Sequence, residues 1–293
     1  MNLALTVLNI TAPVFLLAAV GYIWVKFGFE YRVEFVTRMA MTLSVPCLIF
    51  AALMQIEVEP QALAALSVAS FVAYCIVMLA CFALVKLAKL NAQTFLAPLI
   101  FGNTGNLGLP LALFAFGEIG LGYAVVVFAV MAILSFTIGI WIVAGAGSFK
   151  RVVQEPLVGA TLLGALFLWQ GWETPQFLTN TIELIGQMAI PMMLITLGVA
   201  VARLETKAMG QAVVLSVIKV VICGAAGWGA ATWFALDPIA AGVLIVQLAT
   251  PVAVTSYLLA EKYGADPQPV AGLVVASTLL SVLALPLILA FVI

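Results

Sequence analysis

Residues 101–117 read FGNTGNLGLPLALFAFG, and within them residues 103–110 bring together two asparagines, a threonine, two glycines and a proline. Gly105 and Gly108 are poor helix formers, and Pro110 lacks an N–H and clashes with the carbonyl four residues back. The side-chain amides of Asn103 and Asn106 can replace the backbone partners that such a break removes. A helix is therefore expected to break here. The surroundings make the break consequential, because the 293 residues are 66% hydrophobic and only 8% charged, against roughly 45–50% and 25% in a soluble domain. That is the composition of an integral membrane protein. Unsatisfied backbone in hydrocarbon costs several kcal/mol per group, so a broken span survives only where it is buried in protein or lines an aqueous cavity.

At about 20 apolar residues per helix, the chain divides into ten expected spans, at 3–25, 36–54, 62–86, 95–116, 121–146, 153–170, 177–202, 209–235, 239–261 and 270–292. The motif sits near the middle of the fourth. Ten of the eleven Lys and Arg fall in alternate joints: Lys26, Arg32 and Arg38, then Lys86 and Lys89, then Lys150 and Arg151, then Arg203 and Lys207, then Lys262. The opposite joints carry acids only, namely Glu57, Glu59, Glu118, Glu173 and Asp237. Positive loops stay cytoplasmic, so both termini are expected outside the cytoplasm. No Lys or Arg precedes Lys26, so the basic start of a secretory leader is missing and the first span is expected to stay in the mature chain.

Landmark residues recur at a nearly constant offset. Pro13 and Pro156, the Leu-Leu pairs at 16–17 and 162–163, Trp24 and Trp169, Pro46 and Pro191, Pro110 and Pro251, and Ser135 and Ser281 are separated by 141 to 146 positions. The chain thus reads as two five-span repeats, 1–147 and 148–293. Five crossings put the second repeat into the membrane from the opposite face, which is the inverted topology of several secondary-transporter folds. In the ninth span, VQLATPVAVTSYLLAEKYG, the Thr250-Pro251 pair occupies the matching position, with Gln247 just before it. Thr250 is suited to cap and Pro251 to take the first helical position. Two interrupted helices at corresponding places point to a substrate site. Half-helix N-termini starting near Leu109 and Val252 would aim free N–H groups and positive dipole ends at each other's crossing, which favours an anion.

The eleventh cation, Lys219, lies about ten residues into its span, roughly 15 Å deep at 1.5 Å per residue. Such an ammonium should face the bundle interior or a wet cavity. Two uses fit it: attraction of an anionic substrate, or binding of the carbonyl ends of the broken helices, where a cation sits in ion-coupled proteins. No Asp or Glu is expected at mid-membrane, Glu183 being the nearest candidate toward the outer end of the seventh span. Proton coupling through a carboxylate is disfavoured, while sodium held by carbonyls and hydroxyls stays open, with Ser135, Thr137, Ser277, Thr278 and Ser281 able to line such a place. Hydroxyls in membrane helices more often bond their own backbone or a neighbouring helix. Cys47, Cys75, Cys81 and Cys223 lie in apolar runs without a Cys-x-x-Cys pair, and histidine is absent. They read as small hydrophobes, so no metal centre, catalytic residue or cofactor is expected, and no nucleic-acid partner.

The segments NTGNLGLPL (residues 103–111) and VQLATPVAVTSYLLAEKYG (residues 246–264), with SVPCLIF in the second span, resemble the auxin efflux carrier family of membrane transporters, whose bacterial members include carriers named for malonate and related acids. The resemblance covers essentially the whole chain. It implies an all-α fold of ten transmembrane helices in two inverted repeats, similar to bile acid symporters and sodium/proton antiporters. Spans one, two, six and seven would form a scaffold, and spans three to five and eight to ten a mobile transport domain, with spans four and nine crossing at Pro110 and Pro251. It further implies elevator-type alternating access, a homodimer through the scaffold and a bacterial plasma-membrane location. By that likeness Asn103, Thr104, Gly105, Asn106, Gly108 and Pro110 fall on the first crossover, and Gln247, Thr250 and Pro251 on the second. The long hydrophilic loop of the plant carriers is missing between spans five and six, which puts the plant hormone in doubt as substrate.

The expected function is secondary transport of a small organic anion, a mono- or dicarboxylate, bound at the crossover with Lys219 nearby. The alternative is an anion channel using the same cavity.

Overall fold

The computed structural model describes residues 3–55, 59–144, 156–204 and 209–293. Expectations placed on Glu57, Lys150, Arg151, Lys207 and the repeat boundary at 147/148 lie outside these residues. In chain order the helices are α1 (Leu3–Lys26), α2 (Val33–Met39), α3 (Val45–Gln55), α4 (Pro60–Leu87), α5 (Ala92–Ile100), α6 (Leu109–Leu134), α7 (Ile140–Ala144), α8 (Pro156–Gln170), α9 (Gln176–Gln187), α10 (Ala189–Arg203), α11 (Met209–Trp233), α12 (Pro238–Leu248), α13 (Val254–Tyr263) and α14 (Pro267–Val292). Among the described residues seven helical stretches are long and apolar enough to cross a membrane, and 158–170 and α12 are shorter apolar helices.

Local chemistry sets the ends. Asn91 opens α5 by accepting the Thr94 N–H at 3.2 Å. Asp237 opens α12 by accepting the N–H groups of Ile239 and Ala240 at 3.0 Å each, and Asp266 does the same for Gln268 ahead of α14. Side-chain caps of this kind satisfy amides that no earlier turn can reach. Gly117, at φ 67° and ψ −158°, splits α6 at the expected joint between the fourth and fifth spans. Only glycine enters that region cheaply.

Three wide π turns interrupt the first half, at Ala40–Ser44, Thr104–Gly108 and Ser135–Gly139. The first two end two residues before Pro46 and Pro110. A proline ring presses on the carbonyl four residues back, here Thr42 or Asn106, and a widened turn relieves that pressure.

Packing follows small residues. α1 lies directly on α10, where a Cβ at Gly21 would run into the Ile195 carbonyl and one at Gly198 into the Ala18 carbonyl. Glycines at such crossings let two backbones touch. α3 packs on α8 and α9, while α11 packs on α4, α12 and α14. At one end of the bundle Arg203 Nη2 donates to the Tyr31 carbonyl at 2.7 Å, and the Tyr31 and Thr196 hydroxyls share a 2.7 Å hydrogen bond. Burial pushes the Tyr31 phenol above its ordinary pKa. At the other end Gln55 Nε2 donates to Glu183 Oε1 at 2.6 Å, joining α3 to α9.

Candidate functional site

The first helix break comes earlier than the motif suggests. α5 ends at Ile100, and Phe101 turns extended at φ −94° and ψ 118° while its N–H still reaches Ala97 O at 2.9 Å. Gly102 and Asn103 carry the chain across, and helical winding resumes at Thr104. There Asn103 O accepts from both Leu107 N (3.1 Å) and Gly108 N (3.2 Å), the forked pattern of a turn widened by one residue. Most of the expected gap within Asn103–Pro110 is thus the start of the second half-helix, whose N-terminus lies at Thr104 and not near Leu109. Pro110 widens the helix without interrupting it.

The second break falls where expected, with a different local order. α12 ends at Leu248, and the Thr250 hydroxyl donates back to Gln247 O at 2.7 Å. Thr250 therefore closes the first half-helix and does not cap the second. Ala253 takes the capping position with φ −67° and ψ 137° and offers no side-chain oxygen, so α13 starts at Val254, and Pro251 lies in the extended gap. Ser256 N bonds the Ala253 carbonyl at 3.0 Å, and Val254 and Thr255 ahead of it have no carbonyl one turn earlier within α13 to bond.

The two gaps touch. Asn103 N donates to Pro251 O at 2.7 Å, and Gly102 and Val252 form an isolated antiparallel bridge. The contact expected at Pro110 and Pro251 is therefore made by Gly102 and Asn103 with Pro251 and Val252, and Pro110 stands seven residues beyond Asn103. A Cβ at Gly102 would collide with the Thr250 hydroxyl and lie 3.1 Å from the Thr250 carbonyl. Val252 N donates to Ser277 Oγ of α14 at 2.9 Å.

Lys219 is fully buried, and its Nζ donates to the Thr250 carbonyl at 3.0 Å, with Cys223 Sγ at 3.8 Å. The amine therefore sits at the negative end of α12. Gln247 is also fully buried, against Gly108, where a Cβ would strike its side-chain oxygen. Among the described residues Gln247 Oε1 and Nε2, Thr104 Oγ1 and Asn103 Nδ2 have no hydrogen-bond partner.

A cavity of about 350 Å³ lies against the first break. All three π turns reach it, through Met41, through Gly105 and Asn106, and through Ser135, Phe136 and Gly139. Its opposite wall is α13, from Ala253 and Thr255 at the break to Lys262 at the far end. Of residues 101–112 only Asn106 is not fully buried. Much of the wall is apolar, with Phe101, Phe128, Met131 and Leu259 prominent, and among the described lining residues there is no Asp or Glu.

Of the ten residues singled out from sequence, Asn103, Gly105 and Asn106 line this cavity, while Thr104, Gly108, Pro110, Lys219, Gln247, Thr250 and Pro251 lie outside its lining. Among the hydroxyl residues considered, Ser135 lines it. Thr137 and Ser281 instead bond the carbonyls of Ile133 and Thr278 at 2.6 Å each. Sequence reading passed over Gln93, Phe128, Thr255, Ser256 and Lys262. Thr255 and Ser256 were within its reach, since they open the helix that follows Pro251. Gln93 and Phe128 carry no local signal, because only the tertiary fold brings them to the break.

Comparison with known proteins bears on the whole chain. The family described as "Membrane transport protein" matches residues 6–152 and 146–289. An uncharacterized transporter of Methanocaldococcus jannaschii is 22% identical over 302 residues, covering 96% of this chain and 97% of the relative. A Rhizobium meliloti protein provisionally named a malonate transporter is 26% identical over 200 residues, 62% of this chain and 61% of the relative. An uncharacterized transporter of Methanothermobacter thermautotrophicus is 28% identical over 192 residues, 63% of each chain. With its apolar helices and two touching helix breaks, this multi-pass integral membrane protein belongs to the membrane transport protein family of auxin efflux carriers.

Proposed function

We propose that the chain is a secondary transporter for a small organic anion, a mono- or dicarboxylate, bound in the cavity beside the first break. One observation carries the reading: amide-bearing residues converge on a cavity wall that holds no carboxylate among the described residues. The first turn of α13, Asn103 with its unpartnered Nδ2, and the accessible Asn106 line one space with Ser135. Donors so placed, at the positive end of a helix, favour a negative charge. The malonate name of the Rhizobium meliloti relative agrees with a carboxylate. The apolar remainder of the wall fits a carboxylate with a hydrocarbon or aromatic body better than a bare dicarboxylate.

The architecture proposed with it is ten crossings in two inverted repeats, 1–147 and 148–293. Ten follows from the seven long stretches if Thr104–Ala144 is divided at Gly117 and α8 and the α12–α13 pair each cross. The gaps at 101–103 and 249–253 hold corresponding places in this scheme, as do the interruptions before Pro46 and Pro191. The packing of α1 on α10 and of α3 on α8 and α9 supports a scaffold, and that of α11 on α4, α12 and α14 a transport domain. Elevator motion of the second group against the first, and a homodimer through the scaffold in a bacterial plasma membrane, complete the reading. The cavity extends toward Gln93, Val143 and Lys262, next to the Lys- and Arg-bearing joints; with those joints cytoplasmic, the cavity faces the cytoplasm and both termini lie outside. The Lys219 bond to Thr250 supports the organising use of that amine.

Purified protein in proteoliposomes tests this by counterflow. Uptake of malonate, malate, lactate and indole acetate is measured with and without sodium at two pH values. Saturable uptake accelerated by substrate on the far side is expected for at least one of them. Steady single-channel current without such acceleration would replace the carrier with a channel.

A further inference from the structure

We propose that Lys262 is the anion-recruiting residue of the cavity, a role that deepens the transporter reading and rests on it. In the sequence Lys262 serves only to mark a cytoplasmic joint. In the fold it is the one charged side chain among the described residues that line the cavity. Arg38, whose neighbour Thr37 also lines it, is occupied by Glu34 at 3.2 Å. Among the described residues no carboxylate stands within ion-pair distance of Lys262, and Glu261 beside it stays off the lining.

Position supplies the rest of the argument. α13 begins at the break, where Ala253 to Ser256 line the cavity at its positive dipole end, and carries Lys262 in its last turn, so both ends of one cavity-lining helix attract negative charge. At 1.5 Å per residue the nine steps from Ala253 to Lys262 span about 13 Å. A carboxylate reaching the outer end of the cavity meets the ammonium first and the Asn103, Asn106 and Thr255 donors second. Between them the wall is apolar, through Phe128, Met131 and Leu259. A largely apolar wall whose described lining carries one cation focuses the field on its own mouth and raises the local concentration of anions. The residue acts before the substrate is seated, so the effect belongs to capture and not to turnover.

Initial uptake rates of radiolabelled malonate and indole acetate from the Lys262 side of oriented vesicles test the assignment. Lys262→Gln should raise KM about tenfold at about 20 mM salt and about twofold at about 0.5 M, with kcat unchanged. Lys262→Arg should keep the wild-type KM. Lys86→Gln is the control: that amine lies over the Phe82 ring at 5.6 Å just as Lys262 lies over Tyr263 at 5.6 Å, but it does not line the cavity, so its loss should leave KM alone. The wild-type KM itself should rise with ionic strength, a readout that holds even if the glutamine variant does not fold. A wild-type KM indifferent to salt, or a Lys262→Gln KM equal to wild type, overturns the role of Lys262 while leaving the transporter intact. Failure of the wild type to carry either probe, alongside failure of the wider carboxylate series, overturns the transporter reading and the role of Lys262 with it.

Discussion

The break after Ile100 and the break after Leu248 differ in where their polar groups go. At the first, Asn103, Gly105 and Asn106 border the cavity, and the helix that follows is widened by a π turn. At the second, Thr250 points back to Gln247, its carbonyl is held by Lys219, and Val252 N is taken by Ser277. The first break puts side-chain amides on the cavity, while the second spends Thr250 and Val252 on the protein and reaches the cavity only through Ala253 and the first turn of α13. The same contrast runs through the halves: the three described π turns belong to the first and all reach the cavity. Wide turns expose backbone and are common at functional sites. The comparison teaches that a discontinuity in a membrane helix can bind or can brace. Side chains from neighbouring helices decide which.

The strongest challenge to this division is Gly102→Leu. Its side chain has no room beside Thr250, so both gaps must separate. Overpacking of this kind costs about 3 kcal/mol or more. A melting temperature lower by about 10 °C in detergent is expected, and an unchanged one would show that the gaps need not touch.

Lys219→Met comes next. The Thr250 carbonyl would lose its buried donor, at a cost of about 1–3 kcal/mol. Melting should fall by several degrees and uptake by more than about tenfold. If melting held steady while only KM rose, Lys219 would belong with the ligand and the bracing role of the second break would fail.

Pro110→Ala should do least. The new N–H lets the widened turn tighten toward regular winding, with a stability change within about 1 kcal/mol. Because Gly105 and Asn106 would then shift on the cavity wall, KM should change about threefold. A collapse of folding would instead restore Pro110 as the crossing residue.

Much of this was legible in the sequence. The expected boundaries 3–25 and 209–235 fall within two residues of α1 and α11, because long apolar runs between charged joints leave little freedom. The breaks in the fourth and ninth spans were legible too, since glycine, asparagine and proline have few other reasons to gather in an apolar run. Their register was not. Pro110 was read as an interruption because composition shows that a helix is disturbed without showing whether it stops or widens. That depends on the forked bonds at Asn103 O, made where Gly108 packs against Gln247, 139 positions away. The division of labour between the breaks was hidden for the same reason. Lys219 was recognised as stranded, and both of its uses fitted the sequence. The 3.0 Å bond to Thr250 is a tertiary contact that no spacing encodes. Lys262 was read as a topology marker because charge in a joint has that simpler explanation.

The most direct test of the claim that the side-chain amides of the first break bind the anion is the affinity of purified protein for the carboxylate identified by counterflow, in wild type and in Asn106→Ala. Asn106 is the one residue of 101–112 that is not fully buried, so removing its amide should leave the melting temperature in place. The expected result is a Kd about tenfold weaker, equivalent to about 1.4 kcal/mol. An Asn106→Ala protein that melts as wild type and binds the same carboxylate with the same Kd would contradict the account.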